Sequence, residues 1–214
     1  TLIRTLMQLV GDDGAIVMPS FRMSPNLPLT AEDLRLGLTM KIRILPEDEE
    51  PSAMGIVSDT FRKRNDVMTG DGIFRVSAWG KDANIYCRSF KPLVEADGWI
   101  LLLGVQMDRC SALHLAEEQV VLPEDIQRLR GGKVPEEYLK EYPPDEWMIG
   151  CENIWADFLI VQQEAEALGM IETGTIGMAT ARLFKARPMI ALYQKLLMEN
   201  PYRFFEMKSN SESP

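Results

Sequence analysis

Four residues of reactive type, Cys110, Ser111, His114 and Glu117, fall within eight positions of the chain, and His114 is its single histidine. Residues three apart on a helix share a face, so Glu117 stands within reach of the His114 ring. A carboxylate beside an imidazole favours the protonated form and fixes one tautomer, the arrangement a general base needs. Ser111 could give its hydroxyl to a developing oxyanion, and Cys110, four residues before His114, has the spacing of a thiol–imidazole pair. The same pattern also fits a histidine that merely satisfies a neighbouring carboxylate on a surface or in a core.

The elements around this cluster must hold it at a cleft. Residues 99–103, Trp-Ile-Leu-Leu-Leu, with Val105 beyond Gly104, are too short for a membrane span and read as a strand buried on both faces, in the middle of a sheet. Asp108 and Ser111 are cap-type residues, and residues 112–119 are rich in helix formers. A strand thus feeds a helix through a tight turn, with His114 in the first helical turn. In open sheets, ligands gather outside the carboxyl ends of strands, where loops diverge and helix N-termini expose amides.

Composition bounds what this cleft could serve. With 46% hydrophobic and 26% charged residues over 214 positions, the chain is an ordinary globular protein long enough to bury a substantial core. A formal net charge of -9 argues against a nucleic-acid partner and is compatible with a cationic substrate such as a polyamine or an amino sugar. No apolar run approaches the roughly 18 residues of a membrane span, and no leader pattern opens the chain, so no membrane partner and a cytoplasmic location are expected. Cys87, Cys110 and Cys151 have neither disulfide nor metal-ligand spacing, which points to reduced thiols.

Periodicity predicts an α/β protein with a central mixed sheet flanked by helices, in a single domain over residues 1–206 followed by a disordered tail at 207–214. Residues 2–10 carry a helical stripe stopped by Gly11, and residues 15–18 read as a strand ending at Pro19. Residues 23–51 form a surface excursion in which 31–44 could be a strand or a short helix. Residues 52–64 read as a helix capped by Ser52, residues 74–79 as a strand, and residues 89–96 as a helix. A polar excursion at 120–144 could cover the site. Further on come a helix at 154–168 closed by Gly169, a strand at 170–176, a helix at 178–187 opened by Gly177, and a last helix from Pro188. Thr175, Ile176 and Gly177 would then mark an anion-binding helix start.

A hydroxyl residue followed by Leu-His-x-Ala-Glu, here SALHLAEE from Ser111, resembles the aminoglycoside 3-N-acetyltransferase family, also called the antibiotic N-acetyltransferases. The resemblance covers most of the chain through LIRTLMQLVGDDGAIVMPSF near the start, MGIVSDTFRKRND, VSAWGKDA, WILLLGV before the histidine and TIGMATARLFKARPMI near the end. It implies the family's fold, a soluble enzyme of antibiotic resistance working as a monomer or homodimer, and acetyl-CoA as co-substrate without a metal. The implied reaction is direct acetyl transfer to an amino group of an aminoglycoside or other amino-sugar-like substrate. His114 would be the general base, Glu117 its orienting carboxylate and Ser111 a donor to the oxyanion. Members of the family usually carry a further N-terminal segment, so the sequence is expected to be a fragment or an ordered portion.

The resemblance also nominates residues around the cleft. Ser20 and Phe21, at a strand end, are candidates for lining it. The basic cluster Arg62, Lys63 and Arg64 would meet the phosphates of coenzyme A, although such a cluster also suits a solvated helix C-terminus. Glu152 and Asp157, beside the family's Asp-Phe motif, would bind substrate ammonium groups, against the simpler role of acids at a helix start. One segment departs from the pattern. Where the family shows Arg-Ser-x-His-Pro-x-x-Ser, this chain reads VMTGDGIFRVSAWG, with Asp71 near the histidine position, itself a substrate-binding candidate, and Arg75 near the final serine. Three other readings therefore stand: a ping-pong enzyme with Cys110 as nucleophile, a binding or scaffold protein that kept the fold and lost catalysis, and a metal site using His114 and nearby acids.

Overall fold

The computed structural model describes residues 2–46, 51–130, 134–151 and 154–205. In chain order the elements are α1 (Leu2–Val10), β1 (Ala15–Pro19), α2 (Ala31–Arg35), β2 (Leu38–Arg43), α3 (Gly55–Arg62), β3 (Met68–Thr69), β4 (Val76–Gly80), α4 (Ala83–Tyr86), α5 (Lys91–Glu95) and β5 (Trp99–Leu103). Two 3-10 turns, Met107–Arg109 and Ser111–Leu113, then lead into α6 (His114–Glu117). After it come α7 (Glu124–Arg130), α8 (Glu136–Glu141), β6 (Trp147–Cys151), α9 (Phe158–Ala167), β7 (Glu172–Ile176), β8 (Ala179–Lys185), α10 (Ala186–Glu199) and a 3-10 turn at Pro201–Arg203.

The α/β class holds, with its strands in small antiparallel sheets. Among the described residues the sheets are ordered β1-β4-β3, β2-β6 and β5-β8-β7, in place of one central mixed sheet. Parallel pairing needs a crossover of a dozen or more residues, and a link as short as Gly177-Met178 between β7 and β8 permits only an antiparallel hairpin. By its contacts the chain divides into two compact units, residues 1–92 with 132–152 and residues 93–131 with 153–214. The expected tail at 207–214 lies outside the described residues.

In the first unit, α1 closes at Gly11, whose φ of 70° lets its amide donate to Met7 O at 3.0 Å. β4 is the central strand of its sheet and buries Val76 and Ala78, the latter packed with Ala83 and Cys87. The ambiguous stretch 31–44 contains both alternatives. Thr30 and Asp33 make a reciprocal capping box that starts α2, Gly37 at φ 80° ends it, and β2 follows. Leu38, Tyr138 and Cys151 form the core beneath β2 and β6. α3 starts later than expected, at Gly55, because the Ser52 hydroxyl donates to Asp59 at 2.8 Å and its oxygen accepts from Met54 N at 3.2 Å.

In the second unit the apolar run 99–103 forms β5, but at the edge of its sheet, with Trp99 half exposed under the Lys185 ammonium. The expectation of a central, doubly buried strand fails because the partner on its inner side is β8, which had read as a helix. Gly177 at φ 63° makes a two-residue turn with Met178, and cross-strand pairing from Ile176↔Ala179 to Glu172↔Leu183 overrides the helical propensity of Met178 and the alanines. No helix starts at Thr175, Ile176 or Gly177. α10 begins at Ala186, so Pro188 lies in its first turn, where a missing N–H leaves no bond unmade. Its face of Met189, Ile190, Tyr193 and Leu197 is buried, as are Phe158, Val161, Gln162 and Ala165 of α9.

Candidate functional site

The position of His114 is set from below. Beyond β5, Gly104 at φ 71° turns the chain, and the buried amide of Met107 donates to Gln162 Oε1 on α9 at 2.9 Å. Met107, Leu113 and Ala116 have no exposed surface and lock the two 3-10 turns and α6 onto the core. The helix expected over 112–119 is only the four residues of α6, and neither Asp108 nor Ser111 caps it with a side chain. So short a helix offers no anion-binding terminus, and what remains of the expected site is the side chains themselves.

Those side chains form a layered set. His114 Nδ1 lies 3.1 Å from Glu117 Oε2, with the histidine side chain 49% exposed and the glutamate side chain 2%. The Tyr193 hydroxyl, from α10, donates to Glu117 Oε1 at 2.9 Å, and the Arg130 guanidinium, from the end of α7, donates to Oε2. Burial, together with the neighbouring Glu117 charge and the hydrogen bond to it, pushes the Tyr193 phenol far above its usual range, so it remains a donor. With Arg130 and Tyr193 both donating, Glu117 sits as an acceptor, so Nδ1, the ring nitrogen that faces it, is the one that carries a hydrogen. Beneath the imidazole, Phe158 meets the ring edge-on at a centroid distance of 5.0 Å, and Phe158, Tyr193 and Phe204 continue the aromatic stack. The Arg130 guanidinium lies 5.4 Å over the Phe205 ring.

The pair opens into a depression lined by His114, Glu117, Arg130, Ile154, Trp155 and Ala156. Its volume of about 100 Å³ compares with roughly 300–1,000 Å³ for pockets that swallow a drug-sized ligand, so it has room for a small group only. Trp155, 59% exposed, is the large apolar surface beside it.

The other candidates fare differently. Ser111 is half-buried in the turn before α6 and is not among the partners of Glu117 in the described residues. Cys110 is 3% exposed, and burial pushes its thiol up to about 12 against the pull of the Ala112 and Leu113 amides, which removes the thiolate a ping-pong nucleophile would need. Asp157 is exposed and caps α9, accepting from Leu159 N at 2.9 Å, while the three residues before it line the depression. Glu152 lies outside the described residues. Among the described residues, no group of three His, Cys, Asp or Glu is gathered to hold a metal ion.

Ser20, Phe21, Arg62, Lys63, Arg64 and Asp71 belong to the first unit. Ser20 is buried, its hydroxyl 2.6 Å from Ser77 Oγ, itself 2.8 Å from the Thr69 hydroxyl. Phe21 packs edge-on against Phe74. The Arg62 side chain is 8% exposed and donates to Asp59 at 3.1 Å. Burial would raise the Asp59 carboxyl, but hydrogen bonds from Ser52 and Arg62 hold it below the usual value. Arg64 grips Asp66 through two nitrogens, and Lys63 and Asp71 are exposed. Arg130, Gln162 and Tyr193 are not among the residues that the sequence nominates. The one available signal was a hydroxyl at position 193 within the apolar stripe of the last helix.

Comparison with known proteins agrees with this architecture. The sequence pattern described as aminoglycoside 3-N-acetyltransferase matches residues 1–198. An aminoglycoside N(3)-acetyltransferase IV of Salmonella sp is 26% identical over 220 residues, covering 95% of this chain and 75% of the relative. The crystal structure of the aminoglycoside acetyltransferase AAC(3)-IVa apoenzyme superposes with a TM-score of 0.64 at 24% identity, over 96% of this chain and 76% of that one. That of AAC-IIIb in a binary complex with CoASH gives 0.63 at 20%, over 100% of this chain and 85% of that one. The fold is that of an acyltransferase class. The chain belongs to the aminoglycoside 3-N-acetyltransferase family. Among the described residues, no helix is long and apolar enough to cross a membrane.

Proposed function

We propose that this chain transfers the acetyl group of acetyl-CoA to an amino group of an aminoglycoside or similar amino sugar, with His114 as general base. The observation that carries the reading is the half-exposed His114 ring at the depression, held by the buried Glu117. Structures of family members are described as holding CoASH in one case and apramycin in another, which supports both ends of the reaction.

In this reaction acetyl-CoA supplies a thioester carbonyl whose carbon gains the bond to nitrogen as the bond to sulfur breaks and the thiol leaves. His114 Nε2 takes the proton from the attacking amine, and Glu117, through Nδ1, stabilises the imidazolium that results. The proton can then pass to the departing sulfur, which returns the ring to its neutral form. Ser111, three residues ahead in the turn, is the candidate donor to the acyl oxygen. Exposed Asp157 and Asp71 are candidates for the other ammonium groups of the acceptor. For the phosphates of coenzyme A, Arg62 is buried against Asp59 and Arg64 is held by Asp66, so the exposed Lys63 fits best of the three.

A thiol-release assay with acetyl-CoA against a panel of amines tests the reading. His114→Ala should cut kcat/KM by about 10²- to 10⁴-fold, the usual share of a positioned base, with little change in melting temperature. An unaffected rate would remove His114 from the mechanism. Failure of the unaltered protein to bind acetyl-CoA by calorimetry would favour the binding-protein alternative.

A further inference from the structure

We propose that Arg130 and Tyr193 are positioning residues for the reaction: by binding the Glu117 carboxylate through both of its oxygens, they fix its plane with Oε2 towards His114 Nδ1, and so hold the imidazole with Nε2 facing the depression. The proposal rests on the acyl-transfer reading above.

The geometry is specific. A carboxylate oxygen has two lone pairs. Oε2 takes Arg130 and His114, Oε1 takes Tyr193, and the side chain is 2% exposed, so water is shut out as a competing partner. The three donors come from separate elements: α6 for His114, α7 for Arg130 and α10 for Tyr193. Each anchor is itself fixed, Tyr193 with no exposed surface between Phe158 and Phe204, and Arg130 over the Phe205 ring. A lone buried carboxylate would be costly and free to rotate about its last bonds. With a cation on one oxygen and a phenol on the other, its negative charge is compensated and its plane is set.

The single histidine gives a direct readout, because one imidazole produces one set of long-range proton–nitrogen correlations. In the unaltered protein they should report the tautomer protonated at Nδ1. Tyr193→Phe removes one oxygen atom without changing shape, and Arg130→Gln removes the cation. Each frees the carboxylate to turn away from the ring, so the signals should depart from the single Nδ1–H form, and kcat should fall by about 10- to 100-fold, part of the roughly 10²–10⁴ a positioned base contributes, with KM for acetyl-CoA unchanged. Arg130→Lys should recover part of kcat by restoring the charge without the fork. Tyr202→Phe, which removes an exposed phenol hydroxyl bonded to Asp125, serves as the control and should change neither readout.

Unchanged tautomer signals in both Tyr193→Phe and Arg130→Gln would overturn the proposal, as would a loss of activity that follows melting temperature alone. The spectra need no turnover. A protein that transfers no acetyl group yet shows the tautomer shift would refute the acyl-transfer reading and leave the positioning intact.

Discussion

Two ion pairs on α2 and its neighbouring strand make opposite predictions from the same chemistry. Arg35 and Glu32 meet at 2.6 Å with side chains 66% and 59% exposed, whereas Lys41 and Asp33 meet at 2.5 Å with side chains 9% and 3% exposed. Asp33 also accepts from Thr30 N at 2.7 Å and from the Tyr142 hydroxyl at 2.9 Å, and the Lys41 ammonium lies 5.4 Å from the Tyr142 ring centroid. Lys41→Met keeps the length and apolar stem but leaves a buried carboxylate with only neutral donors. Removing one partner of a buried pair costs about 3–5 kcal/mol, which for a protein of this size lowers Tm by roughly 6–20 °C. Glu32→Gln should have no measurable effect, since an exposed pair is screened and entropically costly. Asp33→Asn combined with Lys41→Met should cost less than the sum of the single changes, because it leaves no orphaned charge.

The pH dependence follows from the same bonds. Burial alone would raise the Asp33 carboxyl, but Lys41, Thr30 and Tyr142 outweigh it and hold it far below the usual carboxylate range. With the folded value depressed, the unfolded chain takes up the proton first. The stabilisation is then complete above about pH 4 and is lost as the pH falls further. The hydrogen bond to Asp33 raises the Lys41 ammonium, so on the basic side the contribution is complete below about pH 10.4 and is lost only as the pH rises through the higher folded value. Urea denaturation across this range, followed by tryptophan fluorescence, reads both limbs. A Lys41→Met midpoint no lower than that of Glu32→Gln, or a double variant whose loss equals the sum, would refute the argument.

Further outcomes follow from the site. Glu117→Gln presents an amide where His114, Arg130 and Tyr193 now find a carboxylate, and kcat should fall at least about 100-fold in the thiol-release assay. Cys110→Ser should retain kcat, since the thiol is buried and protonated, while burying a hydroxyl lowers stability by about 1–3 kcal/mol in chemical denaturation. Trp155→Ala should raise KM for the acceptor with kcat little changed, because an exposed ring beside the depression contributes contact area and does not touch the proton path.

What could be read from the sequence was what neighbouring residues decide. His114 and Glu117 were legible because three residues along a helix fix a shared face, and α1, β1 and the Gly169 stop after α9 were legible because their signals lie within one window. The anchors of Glu117 were not, since Arg130 and Tyr193 stand 13 and 76 positions away and only tertiary packing brings them to it. β8 failed for a related reason. Residues 179–185 hold good helix formers, and the choice between helix and strand was made by β5 and β7 on either side. The acids named for substrate binding are a different case. Asp157 has the chemistry of a cation site and of a helix cap alike, and sequence offers no means of choosing between them.

The departure from the family's Arg-Ser-x-His-Pro pattern acquires a physical meaning from where it falls. The segment lies in the first unit, where Arg75 Nε donates to Ser20 O at 3.0 Å and the amides of Ser20 and Arg22 donate to the carbonyls of Arg75 and Ile73. Its hydroxyls are taken up internally, with Ser77 between Ser20 and Thr69. The stretch that replaces the pattern has therefore become a seam holding the exit of β1, with Arg75 buried as its staple. His114, Glu117, Arg130 and Tyr193 all belong to the second unit. Replacement of the pattern therefore leaves the contacts of Glu117 with His114, Arg130 and Tyr193 untouched, and an Arg75→Ala change should destabilise the β1 exit while sparing those contacts.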